Sequence, residues 1–185
     1  MHLPWRDILP VPTATRAVNT SMTENEAAEL AALAEGKDVL EIGSANGFSA
    51  CAMALGGAES VTAIDPHSWV PGSLPAMQAN LSAYGVEDKV DVIEATFYDA
   101  FEPLKQAGRK FGFIFIDGDH TGPAITFDVN HAYELLAPGG VIACHDYGEC
   151  CCMEVQPALD ALFPNGPTRL TDTLFIVYTE EPSDG

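Results

Sequence analysis

The chain has 185 residues, of which 47% are apolar and 19% are charged. This composition is typical of one globular domain and excludes a disordered or fibrous protein. Eight Lys and Arg residues stand against 27 Asp and Glu, which gives a formal net charge of -19. Because such a surface repels phosphate backbones and anionic lipid, we expect neither nucleic acid nor membrane as a partner.

The N-terminal residues and the cysteines indicate the cellular compartment. The opening residues carry prolines and Asp7 where a signal peptide needs an apolar run. Five cysteines are an odd number, and the three at 150–152 are consecutive, which does not fit a disulfide framework. These features predict a reduced, cytoplasmic protein.

Residues 1–22 show no sustained periodicity and predict an N-terminal arm, which leaves 23–185 as a single domain. Thr23 and Glu26 then form a capping box, and the alanines and leucines after it predict a helix that Gly36 ends.

From residue 38 onward, apolar runs alternate with helical patterns. The runs are short and apolar on both faces, as in parallel strands covered by helices. Pro138-Gly139-Gly140 is expected to end the fourth of the intervening helices, and a hairpin turning at Thr171-Asp172 closes the chain. The order predicts a doubly wound α/β sheet, which binds ligands at the carboxyl ends of its strands. Predicted strands are 38–42, 60–64, 90–93, 111–116 and 141–144, and predicted helices are 47–55, 73–84, 97–107, 123–136 and 153–163.

The first predicted strand runs into a glycine turn. Gly43 and Gly47 let the backbone approach a ligand, and the amides of the following helix can face a carboxylate or phosphate. A dinucleotide fingerprint would place glycines at 43, 45 and 48, where this chain has Gly43, Ala45 and Phe48. Since Phe48 is too large for close packing of helix on strand, a nicotinamide cofactor is disfavoured.

The same turn resembles motif I of the class I S-adenosylmethionine (SAM)-dependent methyltransferases, an acidic-x-Gly-x-Gly-x-Gly pattern. Glu41, Gly43 and Gly47 match it, and Ala45 replaces the middle glycine. A tight turn in an unrelated α/β protein is the alternative. The resemblance implies that SAM is the cofactor and that Glu41, Gly43, Ser44, Ala45 and Gly47 bind it.

Two further positions are candidates for cofactor contacts. Asp65 follows Gly43 by 22 residues, about where an acid meets ribose hydroxyls in cofactor-binding sheets. A carboxylate that accepts from two hydroxyls makes charge-assisted hydrogen bonds, whereas the alternative is an acid exposed in a loop. By resemblance, the loop after the third strand borders the adenine, with Thr96 as a polar contact.

Polar residues follow the fourth and fifth strands. Asp117 and His120 come after one of them, and His145 and Asp146 after the other. Neighbouring parallel strands lie ~4.8 Å apart, so the two aspartates should converge. Paired carboxylates need a shared proton or a counter-charge, and a divalent ion such as magnesium supplies the latter.

These segments resemble the small bacterial methyltransferases grouped with macrocin O-methyltransferase and the cephalosporin-hydroxylase-type proteins. The matching stretches are 114–120, 135–140 and 145–147, within a resemblance that covers about 37–163. It implies a Rossmann-like, seven-stranded sheet of order 3-2-1-4-5-7-6 with the last strand antiparallel. It also implies metal ligands at Asp117 and Asp146, cofactor contact at Asp117 and a histidine base at His120.

His145 departs from that family, whose metal-dependent members usually have an acid there. A neutral imidazole can still bind a metal, and it favours a softer ion such as manganese, iron or zinc. The alternative is that no metal binds and His145 is the base. A zinc site on Cys144, His145 and the cysteines at 150–152 fits no common spacing, so free thiols are the preferred interpretation.

The leading hypothesis is a SAM-dependent methyltransferase that acts on an oxygen of a small hydroxylated acceptor, with a divalent metal (Mg, Mn or similar) assisting. The alternatives are another metal-dependent α/β enzyme on the same scaffold and a SAM-binding subunit without chemistry. Since the chain is short, either the acceptor is small or a second subunit in a homo-oligomer completes the pocket.

Overall fold

The computed structural model describes residues 22–179 as alternating strands and helices. The predicted arm lies outside these residues, apart from Met22. The elements are α1 (Glu24–Ala34), β1 (Asp38–Ile42), α2 (Phe48–Leu55), β2 (Ser60–Ile64), α3 (Ser73–Ala83), β3 (Val90–Ile93), α4 (Phe97–Gln106), β4 (Phe111–Ile116), α5 (Gly122–Leu135), β5 (Leu136–Cys144), α6 (Val155–Leu162), β6 (Arg169–Thr171) and β7 (Leu174–Tyr178).

All seven strands form one sheet in the order β3-β2-β1-β4-β5-β7-β6. β1 to β5 run parallel to one another, and β7 pairs antiparallel with both β5 and β6. The predicted doubly wound fold and its strand order are therefore confirmed. Strand order reverses between β1 and β4, which is where sheets of this type bind ligands.

The sheet is buried on both faces. Along each central strand, neighbouring side chains belong to different cores: Val39 and Phe113 pack under α1, α2 and α3, whereas Leu40 and Ile114 pack under α4, α5 and α6. All four are fully buried. Since burying an apolar side chain of this size contributes roughly 1.5–3 kcal/mol, the two cores hold the carboxyl ends of the strands in place.

One boundary differs from its prediction. The helix predicted over 123–136 ends at Leu135 as expected, but the fifth strand, predicted over 141–144, already begins at Leu136, so Pro138-Gly139-Gly140 lie inside β5. Leu136 already pairs with Phe111, and the register then shifts so that Val141 pairs with Phe113. Gly139, with a φ of 70°, helps the extra residues form an irregularity in the strand rather than a helix end.

Two further observations concern the described residues. None of their helices is both long enough and apolar enough to cross a bilayer. The cysteines at 51, 144, 150, 151 and 152 are all free thiols.

Candidate active site

A cavity of about 700 Å³ lies at the carboxyl ends of β1, β2 and β4, beside the reversal of strand order. We call it the large cavity. Its walls come from the loops that follow the central strands and from the start of α5. The residues that carry its chemistry are Gly43, Ala45, Asp65, Thr96, Asp117 and His120.

Strand register explains why residues far apart in sequence meet at this cavity. Ile42 pairs with Ile116, and Ile116 pairs with Cys144. Backbone bonds continue past the strand ends: the Asp117 amide donates to Ile42 at 2.8 Å, and the His145 amide donates to Ile116 at 3.0 Å. The first residues after β1, β4 and β5 therefore lie side by side.

The glycine turn is closed by backbone contacts. Gly43 has a φ of 89°, and its amide donates to the carbonyl of Ile64 at 2.8 Å. A Cβ at this position would lie 2.0 Å from the carbonyl oxygen of Asp117, so only glycine fits. Gly47, with a φ of 80°, begins α2, where a Cβ would lie 2.7 Å from Met77.

Ala45 and Asp65 form one unit across the turn. The Ala45 amide donates to Asp65 Oδ2 at 2.8 Å, and the His67 amide donates to Asp65 Oδ1 at 2.6 Å. Each oxygen keeps a free lone pair, so the carboxylate can still accept two hydrogen bonds from a ligand in the large cavity. Ala45 and His67 hold this arrangement with left-handed φ values of 40° and 51°.

Ser44 and Glu41 lie beneath the large cavity rather than on its wall. Ser44 is buried and its hydroxyl contacts Met77 Sδ at 3.5 Å. Glu41 is fully buried and accepts a hydrogen bond from the Ser49 hydroxyl, while its other oxygen has no partner. Their predicted cofactor contacts would thus be indirect, through the shape of the turn.

Burial raises the pKa of Glu41 to about 8; the bond from Ser49 lowers it, and the charge of Asp117 raises it. The folded protein therefore keeps a proton that the unfolded chain releases above its ordinary pKa of 4.5. Because the unfolded chain then binds fewer protons, stability falls as the pH rises from 4.5 to 8.

Glu41→Gln should remove this pH dependence, because an amide keeps the shape of the protonated acid and does not titrate. Between pH 5 and pH 8, the wild type should lose about 3 kcal/mol more unfolding free energy than the variant loses. Urea unfolding at the two pH values measures the difference. Parallel pH dependence in both proteins would show that Glu41 is ionised when folded.

The end of the large cavity near β3 is lined by Thr96 and by aromatic side chains. Thr96 begins α4; its hydroxyl accepts from the Asp99 amide at 3.2 Å and donates to the Asp99 carboxylate at 2.6 Å. Trp69 and Tyr98 border the same end, and 74% and 72% of their surfaces are exposed. Thr96 therefore acts first as a helix cap, and flat apolar surface surrounds it.

The residues that follow β4 and β5 include a cluster of acids and histidines, which we call the polar cluster: Asp117, His120, His145 and Asp146. Of these, Asp117 and His120 line the large cavity. His120 Nε2 lies 3.1 Å from Asp146 Oδ2 and 3.4 Å from Asp117 Oδ1. His145 Nδ1 lies 3.3 Å from Asp146 Oδ1 and 3.5 Å from Asp117 Oδ1. The structure therefore brings together all four residues that the strand ends predicted.

Glu26 is the fifth member of this region, and the sequence indicated it only as a helix cap. Its Oε2 accepts from the Thr23 amide at 2.8 Å and lies 3.3 Å from His145 Nε2. Its Oε1 accepts from the amide and hydroxyl of Thr173, at 2.9 and 2.6 Å. Both Glu26 and His145 are almost completely buried.

The two ring nitrogens of His145 thus have different surroundings. Nε2 faces Glu26, so it carries the proton that this bond needs. Nδ1 is buried and has no hydrogen bond of good geometry, although Asp117 and Asp146 lie within ion-pair distance. A buried polar atom left in this state usually has a partner such as an ion or water.

Charge inside the polar cluster shifts the pKa values of His120, His145 and Asp146. The carboxylates of Asp117 and Asp146 raise the pKa of His120 to about 10. Burial alone would lower the pKa of His145, but the bonds to the carboxylates around it raise it to about 12. Burial opposes the ionisation of Asp146, yet the two histidines hold its pKa below the usual range.

One ligand atom each from Asp117, His145 and Asp146 lies within 4.8 Å of the other two. These are the three residues for which the sequence predicted metal binding. Asp146 reaches its position through a left-handed φ of 61°. Two carboxylates and an imidazole suit a divalent ion of the first transition row.

The model of a protein family described as a methyltransferase domain matches residues 40–147, more than half of the chain. The matched segment begins in β1 and ends just after Asp146, so it spans the glycine turn and the polar cluster. Among curated proteins, no sequence matches the chain significantly.

Several solved structures share the fold, methyltransferases among them. Cofactor-bound Rv0187 from MTB superposes with a TM-score of 0.71 at 22% identity, over 89% of this chain and 84% of that one. The O-methyltransferase from Bacillus cereus in complex with SAH superposes with a TM-score of 0.67 at 18% identity, over 84% of this chain and 80% of that one. A Streptococcus mutans protein assigned as a SAM-dependent methyltransferase gives 0.66 at 17% identity over 83% of this chain, but the chain spans only 47% of its length.

At these identities the superpositions show only that the fold is shared. Membership of the family is shown by the family model that matches residues 40–147. The chain therefore belongs to the methyltransferase-domain family and has the class I fold of SAM-dependent methyltransferases.

Proposed function

We propose that this protein transfers the methyl group of SAM to a hydroxyl oxygen of a small acceptor, with a divalent ion held in the polar cluster. One observation carries the proposal: a single cavity is lined both by Asp65 and by Asp117 with His120. Asp65 suits the ribose of a nucleoside, and Asp117 with His120 suit a hydroxyl that must lose a proton.

The large cavity suits SAM in both charge and contacts. SAM carries a positive sulfonium, and the acids on the cavity wall are Asp65, Asp117, Asp119 and Asp128. Asp65 keeps two free acceptor positions for ribose hydroxyls, as described above. Flat apolar side chains near Thr96 would accommodate an adenine ring.

Asp65→Ala should weaken SAM binding by roughly 1.5–3 kcal/mol, which is the contribution of hydrogen bonds to a charged group. Isothermal titration with SAM measures this loss. Asp91→Ala is the matched control, because Asp91 is an exposed acid on β3. Equal affinity in wild type and Asp65→Ala would contradict the ribose contact.

The residues of the polar cluster fit a divalent ion. His145 Nδ1 is buried without a hydrogen bond and faces two carboxylates, and Glu26 holds the proton on the opposite nitrogen. A carboxylate behind a histidine is the usual way in which proteins orient an imidazole ligand. Asp117, His145 and Asp146 would therefore hold the ion.

Methyl transfer is a displacement at carbon, so the chain must align the acceptor oxygen and remove its proton. An ion on Asp117 and Asp146 would polarise the acceptor hydroxyl and weaken the carboxylates' hold on the His120 proton. His120, which lines the large cavity, would then accept the hydroxyl proton on Nε2. Asp65 would fix the cofactor in the same cavity.

The pKa of His120 is a test that does not depend on turnover. Without metal, Asp117 and Asp146 raise it to about 10, so the ring stays protonated at pH 7. Saturating Mg²⁺ should lower it by roughly 1–3 units, because a positive ion beside the two carboxylates offsets the charge that raises it, and a shift of about 3 units would leave the ring free to accept a proton near pH 7. Histidine NMR titrations with and without Mg²⁺ follow the shift, and an unchanged pKa would contradict metal binding at Asp117 and Asp146.

The acceptor is expected to be uncharged or cationic. No Lys or Arg occurs among the described residues that line the large cavity, and the chain is strongly acidic. An assay with SAM labelled in the methyl group and a pool of neutral hydroxylated metabolites tests the transfer directly. SAM binding without transfer to any acceptor, in the presence of Mg²⁺ or Mn²⁺, would favour a cofactor-binding subunit.

A further inference from the structure

The three consecutive cysteines lie next to the polar cluster. Cys152 contributes an Sγ that lies within 4.8 Å of one ligand atom each from His120 and Asp146, and these two atoms are also within 4.8 Å of each other. The sequence pattern had favoured free thiols because the cysteines match no zinc spacing. Here a single cysteine joins a histidine 32 residues earlier, from the loop after another strand.

We infer that His120, Asp146 and Cys152 form a second metal site, which takes thiophilic ions such as Zn²⁺. Nitrogen, oxygen and sulfur are the three ligand types that Zn²⁺ accepts in proteins, and three protein ligands leave a position for water. The ligand set differs from that of Asp117, His145 and Asp146, which has no sulfur. Since thiolates select soft ions, Zn²⁺ or Cd²⁺ should prefer the second site, and Mg²⁺ or Mn²⁺ the first.

Solvent can reach the second site from two directions. His120 lies on the wall of the large cavity, and 40% of its side chain is exposed. Cys152 lies on the wall of a separate depression of about 450 Å³, which Gly148, Gln156 and Asp160 also line. An ion therefore needs no opening of the fold to arrive.

Asp146 belongs to both ligand sets, through different oxygens. Its Oδ1 faces His145 and its Oδ2 faces His120. An ion on Oδ2 would occupy the lone pair of His120 Nε2, which the proposed reaction needs for the acceptor proton. The second site would therefore inhibit methyl transfer; this consequence rests on the proposed function, whereas the binding itself does not.

Cd²⁺ titration of the reduced full-length protein tests the binding, because cadmium–thiolate bonds absorb in the ultraviolet. We expect one Cd²⁺ per chain at low concentration, and Cys152→Ser should abolish this binding or weaken it by at least about tenfold. Cys151→Ser is the matched control. Its Sγ lies only 3.4 Å from that of Cys152, but it is not part of the cluster, so this variant should keep the wild-type affinity.

The main competing arrangement is an ion held by the cysteine run alone. His120→Gln distinguishes the two: the second site predicts at least about tenfold weaker Cd²⁺ binding, and unchanged affinity would overturn it. Equal losses in Cys151→Ser and Cys152→Ser would overturn it as well. If an acceptor is found, Zn²⁺ should inhibit the wild type at concentrations at least tenfold lower than those needed for Cys152→Ser; equal sensitivity would contradict the inhibition but not the site.

Discussion

His120→Ala is expected to lower kcat by about 10²–10⁴-fold, which is the usual contribution of a positioned general base. Asp117 and His120 are the members of the polar cluster that line the large cavity, and the side chain of His120 is the more exposed of the two, at 40%. Its Nε2 lies beside both carboxylates that would hold the ion, so a hydroxyl bound to that ion would be within reach. Removal of the ring takes away the nitrogen that would accept the hydroxyl proton in this proposal.

Two measurements separate loss of the base from loss of the fold. SAM affinity in His120→Ala should match that of the wild type, because the proposed ribose contact at Asp65 does not involve His120. The remaining activity should also lose its dependence on the His120 pKa. A variant with wild-type kcat would contradict the assignment and leave His145 as the candidate base.

Glu26→Gln is expected to lower Mn²⁺ affinity by about 10–100-fold, although Glu26 would not touch the ion. The carboxylate accepts the His145 Nε2 proton and so directs Nδ1 towards Asp117 and Asp146. A neutral amide can present its NH₂ group to the ring and allow the other tautomer, in which Nδ1 carries the proton. Mn²⁺ binding followed by electron paramagnetic resonance measures the affinity without any need for turnover.

Glu29→Gln is the control for this variant. Glu29 lies on the same helix, is also buried, and pairs with Arg169 at 2.7 Å instead of with a histidine. Both changes neutralise a buried acid of α1. Glu26 faces the buried His145, where loss of one partner costs about 3–5 kcal/mol, whereas the side chain of Arg169 is 55% exposed and loss of its partner costs less. Urea unfolding of both variants measures that cost. Equal loss of Mn²⁺ affinity in the two would mean that Glu26 acts only through stability.

Much of the fold could be predicted because local and global signals agree. The strands at 38–42, 60–64, 90–93 and 111–116 are apolar runs between turn residues, and their observed bounds match the prediction. The start of β5 could not be predicted in the same way. In the sequence, Pro138-Gly139-Gly140 is typical of a turn between a helix and a strand. Only the pairing of Leu136 with Phe111 shows that β5 begins before these three residues.

The polar cluster was predictable because parallel strands end at one edge, so residues that follow neighbouring strands must meet. Glu26 was not, since 119 residues separate it from His145 and its capping role already explained its position. Cys152 was missed for a related reason. Its partner His120 follows a different strand, and the loop that carries Cys152 has no periodicity that could place it.

Three left-handed residues near the carboxyl ends of the strands bring thermal stability into conflict with function. Ala45, His67 and Asp146 each follow a strand and hold a positive φ that is strained for a side chain, at a cost of about 1–3 kcal/mol. Selection for thermal stability alone would favour glycine at all three positions. At His67 and Asp146 that exchange would delete an imidazole or a carboxylate. Of the three, only Ala45, whose side chain is one methyl group, can become glycine without such a loss. Substitution by glycine is therefore compatible with function at one of these three positions.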